Sequence, residues 1–480
     1  MYKILPFNFI RFESDILLVN ECGVYTYIEE SIFKKFIDHE LDTNSLDFLN
    51  LESKLFATTG NVEYAVRKLA ARYRSRKEFL RDFTSLHMMV ITLRCNQRCE
   101  YCQVSCADQD AAKYDMPVDT AKKTVDFIFS SPTKHPKIEF QGGESTLNWS
   151  AIVATVEKSE KIATAQNKTV DFVICSNLID ISDDQLRYCK DHNIRISTSL
   201  DGPEWLHDKC RIGRVVKPTY SRVRKNIERA REYLGKDGVS ALMTTTAFTL
   251  NHMKEVVDEY IKLGMDGIFI RSLNPYGFAA EQAEQLGYSM ADYVENYFDV
   301  LNYIIALNKH VYFPEYFATL LLTRILTFYS TGFVDLQSPS GAGISGVIYD
   351  FDGSVFPADE ARMLARMGDR HFCLGNIHHD SWEQIFAGSK LRSLTSLSCI
   401  ETCIPCAWCA FQCYCGTDPV RNYLETGYEN RNMADSPFCK KNKSIFIHLF
   451  NLLKSANDEV KDILWSWINH NPELVRRENA

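Results

Sequence analysis

At 480 residues the chain is too long for one ordinary domain and predicts two to four. Its 45% hydrophobic and 24% charged content is that of a globular protein, and a net charge of −8 argues against nucleic acid as the main partner, since duplex binding relies on lysine and arginine neutralising phosphates. No apolar stretch approaches the ~20 residues of a membrane span. Arg11 and Glu13 interrupt the apolar run from Ile4, and no small-residue cleavage site follows. The expected location is the cytoplasm, without a membrane partner. Structural disulfides are rare there, so sixteen cysteines need another explanation, and metal ligation leads.

Residues 1–85 read as a first, α+β unit. The patches Asp15–Val19 and Val24–Ile28, separated by Cys22-Gly23, predict a hairpin. Helices are expected around 31–39 and 61–82, the second rich in arginine and lysine from Arg67 to Arg81.

From 86 to 280 short apolar runs alternate with amphipathic stretches. The expected strands are Met88–Leu93, Lys137–Gln141, Asp171–Ser176, Ile194–Leu200, Ala241–Phe248 and Gly267–Leu273, with helices such as Asp119–Ser130, Ala151–Ala165 and Tyr220–Leu234 between them. Alternation of this kind implies right-handed βαβ units and a parallel sheet. The predicted class is α/β, a partial (β/α)6 TIM-like barrel, with ligands at the C-terminal ends of the strands.

Straight after the first strand come Cys95, Cys99 and Cys102. A Cys-x3-Cys-x2-Cys loop can wrap three irons of a [4Fe–4S] cube and leave the fourth without a protein ligand, whereas four cysteines would close it. A zinc loop is the alternative, but zinc normally wants four ligands with Cys-x2-Cys pairs. The second strand runs into Phe140-Gln141-Gly142-Gly143-Glu144, where glycines let the backbone approach a ligand and the carboxylate can hold an ammonium group. Ser176-Asn177 and Ser197-Thr198-Ser199-Leu200-Asp201-Gly202-Pro203 end the next two. Asp201 is either part of a site or a helix N-cap before Pro203. His207 and Asp208 equally suit a site or a local turn, and Thr245 and Thr246 are weaker ligand candidates.

Residues 281–335 look like a helical connector. Residues 336–445 are short on periodic pattern and dense in cysteine, with Cys399, Cys403, Cys406, Cys409, Cys413, Cys415 and Cys439. Residues 446–480 form a C-terminal helix segment, whose amphipathic pattern runs from Ser444 to Ile468.

The cysteine trio, with Tyr101 before its third member, resembles the signature of the radical S-adenosylmethionine (SAM) superfamily. Gly142-Gly143-Glu144 resembles that family's Gly-Gly-Glu-Pro motif, with Ser145 in place of proline. The stretch Ser199 to Arg211 is similar to one in its peptide-modifying members. The resemblance implies a SAM-binding [4Fe–4S] cluster on Cys95, Cys99 and Cys102, with SAM held by Tyr101, Gly142, Gly143, Glu144, Asn177, Ser199 and Arg211. It singles out no general base.

Cys406, Cys409, Cys415 and Cys439 resemble the SPASM extension of radical SAM peptide maturases, where such a set closes an auxiliary [4Fe–4S] cluster; a structural zinc site has the same spacing. The cysteines of that family's first auxiliary cluster are missing. Ser340-Gly341-Ala342-Gly343, Phe356-Pro357-Ala358 and Pro419 stand in their places. That cluster is lost or rebuilt from Cys373, Cys399, Cys403 and Cys413, and loss is the reading taken. The opening Leu5 to Phe12 and the stretch Tyr414 to Val420 look like the His-Xaa-Ser system radical SAM maturases. This implies oxidative modification, expected as side-chain cross-linking, of a precursor peptide with His-Xaa-Ser repeats. It also implies a partner maturase and an electron donor such as a flavodoxin or ferredoxin. The N-terminal unit could add a leader peptide as a strand; the alternative is that its basic helix is a solvated face leading into the barrel. The rival functions are formylglycine-type oxidation of serine or cysteine, as in anaerobic sulfatase maturation, and a zinc-stabilised binding protein.

Overall fold

The computed structural model describes residues 2–81, 83–430, 433, 434 and 436–475. It divides into two compact units. One comprises residues 1–81, 320–341 and 395–447; the other comprises residues 82–319, 342–394 and 448–480.

The first unit carries an antiparallel sheet of β1 (Phe7–Phe12), β2 (Asp15–Asn20) and β3 (Tyr25–Glu29), in that order. The expected hairpin is β2 with β3, in the register Val19 to Tyr25. Asn20 shapes its turn, because its Oδ1 accepts from the main-chain nitrogens of Cys22 (3.1 Å) and Val24 (3.0 Å). β1 has no counterpart in the expected strands: Arg11 and Glu13 break its apolar run, and pairing with β2 overrides them. Helices Glu30–Ile37 and Leu46–Ser53 cover one side, burying Phe36, Phe48 and Leu51 against Ile16 and Leu18.

In the basic helix Val62–Arg76, Arg67, Lys68, Arg72 and Arg74 face solvent and Arg76 does not. The Arg76 guanidinium is buried and donates to the carbonyls of Cys22 and Arg324. Lys77 next to it pairs with Glu401 at 2.6 Å. Part of the helix's charge is therefore structural rather than a solvated face.

The second unit is built on a mainly parallel sheet. Its strands are β4 (Leu86–Thr92), β5 (Lys137–Gly142), β6 (Asp171–Cys175), β7 (Ile194–Ser199), β8 (Val239–Thr244), β9 (Ile270–Arg271), β10 (Gly346–Tyr349), β11 (Ser354–Phe356) and β12 (Gly375–Asn376). The spatial order is β9-β8-β7-β6-β5-β4-β10-β11-β12. The runs Met89–Ile91, Ile138/Phe140 and Ile194/Ile196 are fully buried, as strands covered on both faces require. Helix Tyr220–Leu234 matches its predicted span at both ends.

Four expectations change. Residues 342–394, assigned from sequence to the cysteine-rich unit, instead extend the barrel sheet: β10 pairs parallel with β4 in the register Ile348 to Met88. The strand expected over Gly267–Leu273 pairs only at Ile270–Arg271. Residues 314–316 occupy its backbone, with Ile268 N donating to Pro314 O at 3.0 Å and Ile270 N to the buried Glu315 carboxylate at 3.1 Å. The strand expected over Ala241–Phe248 stops at Thr244, where Thr246 and Thr249 form a reciprocal helix cap. The single C-terminal helix is two, Pro437–Ser455 and Asp458–Ile468, because Asn457 caps the second through Val460 N at 2.9 Å. No helix among the described residues is long and apolar enough to cross a membrane.

Candidate active site

β4 delivers Thr92 to the start of the cysteine loop, and Arg94 fixes the exit. Arg94 forks onto Asp115 at 2.7 and 2.6 Å and donates to Leu147 O at 2.8 Å. Cys95 and Cys99 are buried and Cys102 half-buried. The loop after β5 is locked to this one through its main chain. Gly143 N donates to Thr92 O at 2.9 Å and Glu144 N to Arg94 O at 2.7 Å.

A Cβ at Gly142 would lie 1.9 Å from Thr92 O, and one at Gly143 would lie 2.1 Å from Arg94 O. Gly142 also has φ +138°. These glycines thus permit close approach to the cysteine loop's own backbone, not only to a ligand as expected from sequence. Gly143→Ala should push the two loops apart, at a cost of about 1–3 kcal/mol. We expect reconstituted Gly143→Ala protein to retain less iron than wild type at an unchanged far-ultraviolet spectrum.

Glu144 departs from its expected part. Its carboxylate is 1% exposed and accepts from Thr146 N (3.2 Å), Thr146 Oγ1 (2.7 Å), Ser176 Oγ (2.8 Å) and Asn177 N (2.7 Å). Burial pushes its pKa up and these donors pull it back. Three of these bonds fall on Oε1 and one on Oε2, so the carboxylate braces the ends of β5 and β6. Asn177 reaches the other way, donating from Nδ2 to Asn96 Oδ1 at 2.7 Å with Cys95 Sγ 3.8 Å off.

Cys95, Cys99, Cys102, Tyr101, Gly142, Gly143, Asn177, Ser199 and Arg211 all border one cavity of about 290 Å3 at the C-terminal ends of the strands. Thr244 borders it too, and Thr245 and Thr246 do not.

Under the cavity lies a buried charge cluster. Tyr101 OH donates to Asp201 Oδ2, and Arg211 Nη1 donates to the Tyr101 oxygen. Arg211 Nη1 stands 3.7 Å from the carboxylate, and Nη2 donates to Gln97 Oε1 at 3.1 Å. Asp201 is not a helix N-cap; its second oxygen accepts from Thr244 N at 3.1 Å, tying β7 to β8. Burial raises its pKa against the pull of Arg211. Two of Arg211's nitrogens are spent on protein and only Nε is unpartnered, so no two-pronged fork remains for a carboxylate. Asp208 serves the local turn, accepting from Thr219 N (2.7 Å) and Tyr220 N (2.8 Å). His207 is buried under Asp201, its pKa held down to about 3 by burial and by Arg211.

Three residues that sequence reasoning passed over belong to this site. Cys106 and Asp359 border the cavity. Arg362 is 0% exposed; its Nε donates to Asp359 at 2.9 Å, and both terminal nitrogens lack partners. Its charge acts on Cys102 as well as on Asp359 and Asp350. The signal for Cys106 was visible as a cysteine four residues past Cys102. Nothing local marked Arg362, because its helix comes from a distant stretch of sequence.

In the first unit, Cys406, Cys409, Cys415 and Cys439 line a second cavity, of about 30 Å3, walled by Ile400, Phe411, Met433, Phe438 and Phe446. Burial raises the thiol pKa values of Cys406 and Cys409, and that of Cys415 to about 12. Cys399, Cys403 and Cys413 lie outside that cavity and give their thiols to main-chain carbonyls at 3.3–3.5 Å, as Cys415 does to Gly416 at 3.5 Å. Cys373, in the other unit, does the same at 3.6 Å. Pro419 is the buried first residue of a helix capped by Asp418.

The donor sets fit iron–sulfur clusters. Thiols border a cavity in each place rather than converging on a point: among the described residues no three metal-binding side chains are gathered as around a single ion. Beside the larger cavity, buried donors on Gln97, Arg211 and Arg362 await acceptors.

Residues 89–260 match the Radical SAM superfamily model. This match makes the chain a radical SAM enzyme, a class whose cofactors are SAM and [4Fe–4S] clusters. It is similar to the cysteine-type anaerobic sulfatase-maturating enzyme of Clostridium novyi (strain NT), with 24% identity over 379 residues, 75% of this chain and 94% of the relative. Its fold is like that of native anSMEcpe with bound AdoMet (20% identity, TM-score 0.64, covering 79% of this chain and 100% of that one). It is also like that of Streptococcus suis SuiB bound to precursor peptide SuiA (14% identity, TM-score 0.54, 91% and 100%).

Proposed function

We propose that this chain oxidises a ribosomally made precursor peptide by SAM radical chemistry, joining side chains of the substrate. The observation that carries the reading is one cavity bordered by Cys95, Cys99, Cys102 and the Gly142-Gly143 main chain, with a separate four-cysteine cavity in the other unit. When bound, the reduced cluster supplies one electron to SAM, and the 5′-deoxyadenosyl radical so formed removes a substrate hydrogen.

The protein's part is binding and shielding. Cys95, Cys99 and Cys102 hold three irons. The main chain of Gly142 and Gly143, positioned by Glu144, takes the amino end of SAM; Arg211 Nε offers its carboxylate one hydrogen bond. Tyr101, Asn177 and Ser199 line the remainder. Leu242 and Met363 supply apolar wall, which keeps water from the reacting centre. Cys406, Cys409, Cys415 and Cys439 hold one auxiliary cluster, closed by protein and suited to carrying the product electron away.

The N-terminal sheet and the exposed arginines of helix Val62–Arg76 suit capture of an acidic leader by strand addition. The resemblance to His-Xaa-Ser maturases points to a substrate with such repeats, a partner maturase, and a flavodoxin or ferredoxin as donor.

The test is to incubate reduced, anaerobically reconstituted protein with SAM and precursor peptide. Formation of 5′-deoxyadenosine with a peptide bridge in tandem fragmentation supports the reading; an unmodified peptide overturns it. Iron analysis should give about eight irons per chain, two cubes, and about twelve would sink the loss of the first auxiliary cluster. A second reading, formylglycine-type oxidation, is favoured by two carboxylates on the cavity wall, Glu139 and Asp359, either of which could take the proton that aldehyde formation releases. Fragmentation showing an aldehyde on one residue would select it.

A further inference from the structure

Cys106 borders the larger cavity together with Cys95, Cys99, Cys102 and Cys175 and is 7% exposed. Its thiol lies 3.7 Å from the carbonyl oxygen of Gln97, on the loop between Cys95 and Cys99. The residues that follow it, Ala107 and Gln109, are held at three points. Ala107 N donates to Leu93 O at 2.7 Å, Arg214 Nη2 donates to Ala107 O at 3.1 Å, and Gln109 Nε2 donates to Cys95 O at 2.6 Å. These anchors are on the end of β4, on the cysteine loop and on Arg214. They keep the segment that carries this thiol against the cysteine loop. Arg214 Nη2 stands 4.0 Å from the sulfur.

We infer that Cys106 ligates the fourth iron when SAM is absent, and that SAM displaces it. The inference rests on the reading of Cys95, Cys99 and Cys102 as cluster ligands. Three cysteines leave one iron open, and an anchored thiol at the same site is a better iron ligand than water or a carbonyl oxygen. The exchange moves no electrons. The iron–sulfur bond to Cys106 breaks, and the thiolate takes up one proton. The amine and carboxylate of SAM's methionine end, the amine having shed one proton, take the coordination position. The SAM-free enzyme is thereby closed by four cysteines, so its cluster is protected until the co-substrate arrives.

The experiment compares wild type, Cys106→Ala and Cys106→Ser, each reconstituted with iron-57 and matched for iron content. Without SAM, wild-type Mössbauer spectra should show no distinct iron site. Adding SAM should split one site off, and Cys106→Ala should show that site already. SAM should bind Cys106→Ala at least about tenfold more tightly, because a form closed nine times in ten lowers apparent affinity by that factor. Iodoacetamide should alkylate Cys106 of wild type only when SAM is bound, as read by peptide mass. Identical SAM-free spectra and equal SAM affinity in wild type and both variants would overturn the inference. If wild type bound no iron at Cys95, Cys99 and Cys102, the underlying cluster reading would fail instead. Cys106→Ser keeps the test available if the alanine variant folds poorly.

Discussion

Cys99→Ala should reduce 5′-deoxyadenosine formation to background. Cys99 is the middle cysteine of the loop, and its thiol is buried where no solvent ligand can substitute. Burial raises its pKa, with Arg211 the main opposing charge, so an iron that binds the thiolate replaces a proton the site otherwise retains. Loss of one of three thiolates leaves the cube with two, and we expect about four of about eight irons to disappear while the C-terminal set keeps its own. Iron analysis and quantified 5′-deoxyadenosine check both parts. Retained activity in the variant would falsify the assignment of this loop.

Arg211→Met should destabilise the barrel unit by about 3–5 kcal/mol, the usual result of stranding one member of a buried ion pair. Asp201 is 0% exposed and would keep only Tyr101 OH and Thr244 N. Denaturant unfolding measures the loss, and adding Asp201→Asn should recover much of it by removing the stranded charge. The deficit also has a pH signature. Burial already raises the folded-state pKa of Asp201, and removing Arg211 takes away the charge that lowers it. A protonated Asp201 is tolerated, so the deficit should be smallest below the unfolded value of ~3.9 and grow as pH rises through the folded value. A deficit independent of pH, or no recovery in the double variant, would show that Arg211 acts on something other than Asp201.

The parts of the fold that carry their own signal were legible in the sequence. Met88–Leu93 is apolar without a break because β4 is covered on both faces, and Tyr220–Leu234 shows its helical period from end to end. β10 to β12 left no such mark. They are short, and β10 is a strand only because the edge of β4, some 260 residues earlier in sequence, is there to pair with. The site divides along the same line. Cys95, Cys99, Cys102 and the two glycines announce themselves by spacing, since a loop's ligands are neighbours in sequence. The commitments of Glu144 and Arg211 could not be read, because partners such as Ser176 and Gln97 arrive from other strand ends. Arg362, on a helix following β11, is the extreme case.

The sheet of the barrel unit has a bearing on colloidal behaviour. A parallel sheet that does not close into a full barrel leaves two outer strands, each a row of unpaired amides open to another molecule's strand. Here both borders are blunted. On one side β10 covers β4, and β11 and β12 continue by antiparallel turns to a final strand of two residues. On the other, β9 is also two residues long, and Glu315 takes the amide of Ile270. Edge-to-edge pairing with strands of other molecules is thereby disfavoured by geometry.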